Sequence, residues 1–584
     1  MRSIRRKGEA LASLALFVGA ASLLFNGAAC SGALAPPIPA AHPDDPTPRR
    51  GGILRLASIG EARRLDPAVL SDALAASAIR LMFDGLVDYD EEKRIVPVLA
   101  ERWELADEGA TYRFFLRQGI RFHDGEELTA EDVRRSIERA LHPRTPNPNA
   151  SLYDALVGFD EYATGAAPHL AGITVEGRYV VSMRLKRPDA TFLPKLALPP
   201  LRPVCRSAGE RYSDGWHPCG TGPFKLPLDG WARGSSLTLV RHDGYFERGL
   251  PYLDGVMWLY NMTQFTQRFK LEAGELDIYR DATQAEFSRF HADPRWASLG
   301  EAEAETSVAG EGMNVRVAPF DNVEVRRAVA AAIDRDHYAA IKASSLRPAY
   351  QPIPPSVPGY NPAIGQRHDH AAALEHMRRA GFAYDPATGK GGYPHVVTYW
   401  AYGNSLPEFT SQLLQQDLAT IGIRIRIHLV TFPAWLAAYK TPGKTQMHYA
   451  SQSQDFPDPS DFLEPLFSGK AINAEDSNNS SFYANPELDE LLAKARGEID
   501  STRRQRLYDE ATKIVCDDAP WAFTFYNHAY EIRQPYVRGY RPHPIFSMHV
   551  ARAWIDRAAS PSFADGRTPP PLRRVLASII GGRR

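Results

Sequence analysis

The segment "QDFPDPSDF", residues 454–462, sets Asp455, Asp458 and Asp461 between two phenylalanines and beside two prolines. Carboxylates at intervals of three suit a metal, an acid–base pair, the charge of a ligand or a turn. Such spacing gathers side chains only on a helix, and Pro457 and Pro459 bar one continuous helix here. The alternating acids and central glycine of an EF-hand loop are also missing. Asp458 and Asp461 therefore read as turn and cap residues, with Ser460 a competing cap for a helix beginning in "DFLEPLF". Asp455 is left as the carboxylate available to a ligand.

Three further stretches hold reactive residue types. In "FHDGEELTAEDV", Asp124-Gly125 reads as a turn and Thr129 as a helix cap with Asp132 in the capping-box position, which accounts for the acids without catalysis. "CGTGPF" has Gly220 and Gly222 but neither the length nor the lysine of a phosphate loop, and Pro223 would break a helix starting there. Those glycines read as a tight turn. "RHDHAAALEH" places His368, His370 and His376 near Asp369 and Glu375 without the HExxH order. A surface helix start accounts for it, with adventitious metal binding as the other reading. No GxSxG elbow and no zinc-type Cys/His pairing occurs. The sequence thus gives an enzyme no specific support and implies no cofactor.

The elements that must position these residues alternate between strand and helix. "GGILRLAS" alternates as a strand, and "RIRIHLV" sets Ile425 and Ile427 against Arg424 and Arg426, continuing from Ile423. "TAEDVRRSIERAL" carries Val133, Ile137 and Leu141 at helical spacing, and "DNVEVRRAVAAAID" repeats the logic with Asp321 and Glu324 at its start. The pattern specifies a mixed α/β protein. With 584 residues, 44% of them hydrophobic, the chain has room for two or three domain-sized cores. Its 68 basic residues balance 69 acidic ones, which argues against a nucleic-acid partner.

The ends differ in character. Arg2, Arg5, Arg6 and Lys7 precede an apolar run, Leu11 to Phe25, and then "NGAAC". That order is a secretory signal, and the run is shorter than the roughly 20 residues of a spanning helix. Residues 1–29 read as a signal peptide. "GAAC" is similar to a bacterial lipobox, except that Gly27 stands where a leucine is usual. Two outcomes stay open: lipidation of Cys30 with a membrane anchor, or plain secretion. The proline-rich residues 30–50 read as a linker. In an oxidising compartment Cys205 and Cys219 could close a small disulfide loop, leaving Cys516 unpaired and buried. Residues 559–584, proline-rich and then basic, read as a solvated tail or a short segment lying on an anionic membrane.

Several motifs resemble one family in order along the chain. They are "RLDPA" at 64–68, "FDGLVDYD" at 83–90, the run from Ile95 to Leu141, "HPCGTGPFKL" at 217–226 and "LEAGELDI" at 271–278. "MNVRVAPFDNVEVRRAVAAAIDR" at 313–335, "RRAGF" at 378–382, "YANPELDELLAKA" at 483–495 and "VRGY" at 537–540 continue the series. The chain resembles the family 5 extracytoplasmic solute-binding proteins, the oligopeptide-, dipeptide- and nickel-binding group of ABC importers. The resemblance implies a two-lobed type-II periplasmic-binding-protein fold with an extra inserted α/β subdomain. Lobe I would comprise residues 51–88, 208–305 and 525–558, the inserted subdomain 89–207, and lobe II 306–524.

It further implies a monomer outside the cytoplasmic membrane that captures small peptides between its lobes. The partners would be an ABC permease and its ATPase. A nickel chelate, an oligosaccharide or another small solute could replace peptide, and a non-transport sensor or an extracytoplasmic enzyme are the other classes. "QDFPDP" matches the family segment that grips the ligand's amino group, which assigns that role to Asp455. Asn314, on the segment entering the second lobe, and Trp400 and Tyr402, after a strand-like run, are expected at the cleft. Arg347 is the candidate cation for the ligand's carboxylate.

Overall fold

The computed structural model describes residues 47–556, apart from 71, 91, 92, 210, 214, 281, 295, 342–345, 404, 405, 474–476 and 544–546. The signal segment, Cys30 and the basic tail lie outside the described residues. No helix among the described residues is long and apolar enough to cross a membrane.

Three sheets organise the protein. In the first, Ile53–Ala57 pairs parallel with Gly255–Leu259, which pairs antiparallel with Ser236–Arg241. The expected alternation of the first strand gives way to burial of both faces, and Arg55 is accommodated by pairing with buried Asp277 at 2.6 Å. A parallel strand covered on both sides reads as a continuous buried run. The second sheet has four antiparallel strands within residues 100–184 and packs against the helix Ala130–Leu141. That helix starts as expected: the Asp132 carboxylate accepts from the Thr129 backbone nitrogen at 3.0 Å and from its hydroxyl at 2.7 Å. In the next such helix, Val323–Ala332, the cap is Asn322 rather than Asp321, because the Asn322 amide oxygen reaches Glu324 N.

The third sheet runs in the order Ile278–Tyr279, Trp521–Arg533, Gly300–Met313, Met447–Ser453, Val396–Tyr402, Arg424–Val430. Two apolar clusters cover its faces. Trp521 and Phe523 join one and Ala522 the other, as strand alternation demands. The register then passes from Phe523 to Phe525 opposite consecutive residues Gly310 and Ala309. The extra residue, Thr524, inverts the alternation, as a bulge must, and Phe525 joins the side of Ala522. A second register shift separates Ala304 from Val308.

Gly220 and Gly222 serve close approach rather than a turn. Neither has positive φ, and a Cβ on Gly220 would stand 2.4 Å from Met82 O and 2.3 Å from the Phe83 ring. Cys205 and Cys219 are joined by a disulfide, with Cα atoms 5.5 Å apart. They lie close to Asp124, but sulfurs held in a disulfide offer no thiolate to a metal. Cys516 is free and buried, and burial pushes its thiol up to about 12. The histidine-bearing helix, His370–Arg379, is capped by Asp369, and His376 Nδ1 lies 2.8 Å from a Glu324 oxygen.

Candidate functional site

The strand Met447–Ser453 delivers the chain to the aspartate segment, and the helix Ser460–Phe467 receives it. Of residues 454–463, every one is buried except Asp455. Polar pairing explains how so acidic a loop tolerates burial. Asp458 accepts from Arg504 at 2.7 and 2.9 Å, and from Ser460 N at 3.0 Å. The guanidinium lowers its carboxyl against the effect of burial. Asp461, in the first helical turn, reaches back to accept the Asp455 backbone N–H at 2.7 Å. From outside, Gly359 adopts φ +103° and comes so near Pro459 that a Cβ would stand 2.4 Å from its Cγ.

The loop is therefore a rigid mount, and Asp455 is what it presents. Asp455 lines a cavity of about 550 Å³ and a smaller one of about 240 Å³, so it stands where the two adjoin. These sizes lie within, and just below, the usual range for small-molecule sites. Across the larger cavity stand Asn149, Asp154, Arg187 and Lys195. Tyr439, Ser451, Gln452 and Trp521 line the smaller one. The Asp455 carboxyl is open to the cavity yet walled in by protein, and loss of hydration pushes it up to about 6. Burial, and then the charge of Asp455, push Asp461 well above the usual carboxylate range despite the pull of the Asp455 and Phe456 amides. An arriving cation makes the pair ionise more fully.

The other expected residues are not brought to this cavity. Asn314 is fully buried, and its amide is spent on the backbone: Nδ2 donates to Thr445 O at 3.0 Å and Oδ1 accepts from Arg316 N at 3.1 Å. It ties the end of the strand Gly300–Met313 to the segment that leads into the strand Met447–Ser453. Trp400 packs edge-on against His428, ring centres 4.2 Å apart. Tyr402 packs on Trp435 at 4.8 Å, which packs on Tyr439 at 4.4 Å, so Tyr402 supports the smaller cavity from a layer behind. Arg347 is exposed on the strand Leu346–Pro348, paired opposite Tyr526.

Sequence reading missed Lys195, Tyr439 and Trp521. Ser451 and Gln452 could have been found, since a strand feeding the aspartate loop must end beside it. Lys195 carries no signal in "TFLPKLAL", because its place in the cavity wall arises only from packing against a segment far along the chain.

The fold and cavity define a solute-binding protein of two lobes with an inserted subdomain, the type-II periplasmic-binding-protein architecture. Residues 94–474 match the family model described as bacterial extracellular solute-binding proteins, family 5 Middle, and the chain belongs to that family. Among curated relatives, the glutathione-binding protein GsiB of Salmonella typhi is 29% identical over 469 residues, covering 78% of this chain and 85% of the relative. The Helicobacter pylori periplasmic binding protein DppA, solved in complex with the peptide STSA, is similar at 26% identity. Its TM-score is 0.69, over 87% of this chain and 98% of that one. The oligopeptide-binding protein AppA of Bacillus subtilis shares the fold at 23% identity and TM-score 0.68, over 87% and 100% of the two chains.

Proposed function

We propose that the protein captures small peptides outside the cytoplasmic membrane and delivers them to an ABC permease and its ATPase, with no chemistry done to the ligand. The observation that carries this reading is the isolation of Asp455, the one exposed residue of an otherwise buried loop, at the junction of two cavities. A peptide's α-ammonium entering the cavity loses water, and a carboxylate must replace it. The glutathione and tetrapeptide named for two relatives are solutes of this kind. The smaller cavity, with Tyr439 and Trp521 in its wall, suits a side chain.

In this reading the lobes, bounded near residues 305 and 525, rock about the paired strands Gly300–Met313 and Trp521–Arg533. Peptide bridging the walls favours the closed form by its differential affinity. The protein acts as a monomer, and a lipidated Cys30 would hold it at the membrane.

Isothermal titration of a di- and tripeptide panel that includes glutathione, on the wild type and Asp455→Ala, tests the assignment. A charge-assisted contact contributes about 1.5–3 kcal/mol, so the variant should bind about one to two powers of ten more weakly. Equal affinity in the two proteins would refute it.

A further inference from the structure

We propose that Lys195 is the anion-holding residue of this site, so that the solute it admits carries a carboxylate as well as an amino group. The inference rests on the peptide-binding reading of the Asp455 cavity and adds the residue that meets the opposite charge.

Lys195 sits in the short helix Phe192–Leu196, and only 6% of the residue is exposed. Its position is fixed on both sides. The Tyr153 hydroxyl donates to Lys195 O at 3.1 Å, and Asp189 accepts from Thr191 N and its hydroxyl at 2.8 and 2.6 Å. The side chain lines the larger cavity, with its ammonium 5.8 Å from the centre of the Phe456 ring. Among the described residues no carboxylate pairs with it. An ammonium facing a cavity loses its water when a solute fills that cavity, which is costly without an anion, and an aromatic face at that distance offsets little of the cost. An anion brought in by the solute would offset much more.

The other cations of this wall do not compete. Arg187 and Lys470 are exposed and keep their hydration, and Arg496 is already paired with Glu464. Phe456 follows Asp455 directly, so the ammonium and the free carboxylate flank one cavity from two segments distant in sequence. A zwitterionic solute spanning them ties the inserted subdomain to the aspartate loop. The seam is already joined beside the cavity, where Ala190 N donates to Arg496 O at 2.8 Å. A solute whose carboxylate is capped leaves Lys195 unsatisfied and is disfavoured by that cost.

The test is titration calorimetry with trialanine and trialanine C-terminal amide on the purified wild type, Lys195→Met and Lys195→Gln. The wild type should bind the free acid at least about tenfold more tightly than the amide. Both variants should lose that preference, binding the acid more weakly than the wild type does and the amide at least as tightly, since the unsatisfied ammonium is gone; saturable amide binding also shows that they fold. Discrimination retained in both variants, or absent from the wild type, overturns the role of Lys195 and leaves the peptide reading standing. Failure of the wild type to bind any peptide of the panel overturns the peptide reading and the role of Lys195 with it.

Discussion

Asp458 and Arg504 meet through two parallel contacts, 2.7 and 2.9 Å long, with 6% and 17% of their side chains exposed. The pair holds the aspartate loop onto the helix Ser501–Asp518. Arg504→Leu leaves a buried carboxylate without its cation, a change that costs about 3–5 kcal/mol. Chemical denaturation should show that loss. Peptide affinity should fall as well, because the mount of Asp455 loosens; full affinity in a destabilised variant would detach the pair from the site.

Protons should act on stability and on binding in opposite directions. The Asp455 carboxyl is raised from 3.8 to about 6 by burial. Its contribution to the stability of the ligand-free protein is thus fully present below the unfolded value and is lost as pH rises through about 6. Peptide capture needs the ionised form, so affinity should fall toward tenfold per pH unit below about 6. Titrations and thermal melts from pH 4.5 to 7.5 should show both trends; Asp455→Asn should flatten the titrations and only lessen the slope of the melts, to which Glu311 and Asp461 still contribute. A pH-independent affinity would remove Asp455 from the amino-group site.

Glu311 offers a test away from the cavity. It is fully buried on the strand Gly300–Met313 and accepts the Tyr399 hydroxyl at 2.6 Å. Burial pushes its carboxyl from 4.5 to about 8, against the pull of that hydrogen bond. A folded value above the unfolded one means stability is lost as pH rises through 8. The wild type should lose about 1.4 kcal/mol more than Glu311→Gln between pH 7 and pH 9. Parallel denaturation curves for the two proteins would contradict this.

The disulfide closes a short loop, and in the chain-entropy account a loop of about 15 residues gives about 3 kcal/mol. The double variant Cys205→Ala, Cys219→Ala should be destabilised by that order and should no longer respond to reductant. Among the described residues Cys516 is then the remaining cysteine, and its burial should keep it unreactive while the variant is folded. A wild type whose melting ignores reductant would deny the bridge a stabilising role.

What the sequence disclosed was local. The capping pair Thr129 and Asp132 appears as read, since a side chain three residues from its partner needs no tertiary knowledge. The two prolines do set Asp455 apart from the paired Asp458, but they gave no sign that Asp461 turns back onto Asp455 and accepts its backbone N–H. The resemblance supplied the role of Asp455. Non-local features stayed hidden: Arg55 in a strand buried on both faces needs Asp277, and Lys195 comes beside Phe456 only in the folded chain. Asn314, Trp400 and Tyr402 were placed near the cleft by chain position. Packing sends the first into backbone hydrogen bonds and the others into aromatic layers, distinctions that depend on a few ångströms.

The central sheet also constrains when the protein folds. Its strand Trp521–Arg533 lies between Ile278–Tyr279 and Gly300–Met313, so the sheet lacks an interior strand until nearly the whole chain exists. Pairings of such long sequence separation form slowly, because loop closure precedes any reward. A nascent chain therefore cannot complete its core early. For a protein exported before it folds that is an advantage, since a polypeptide still unable to collapse into its final form stays threadable through a secretion pore.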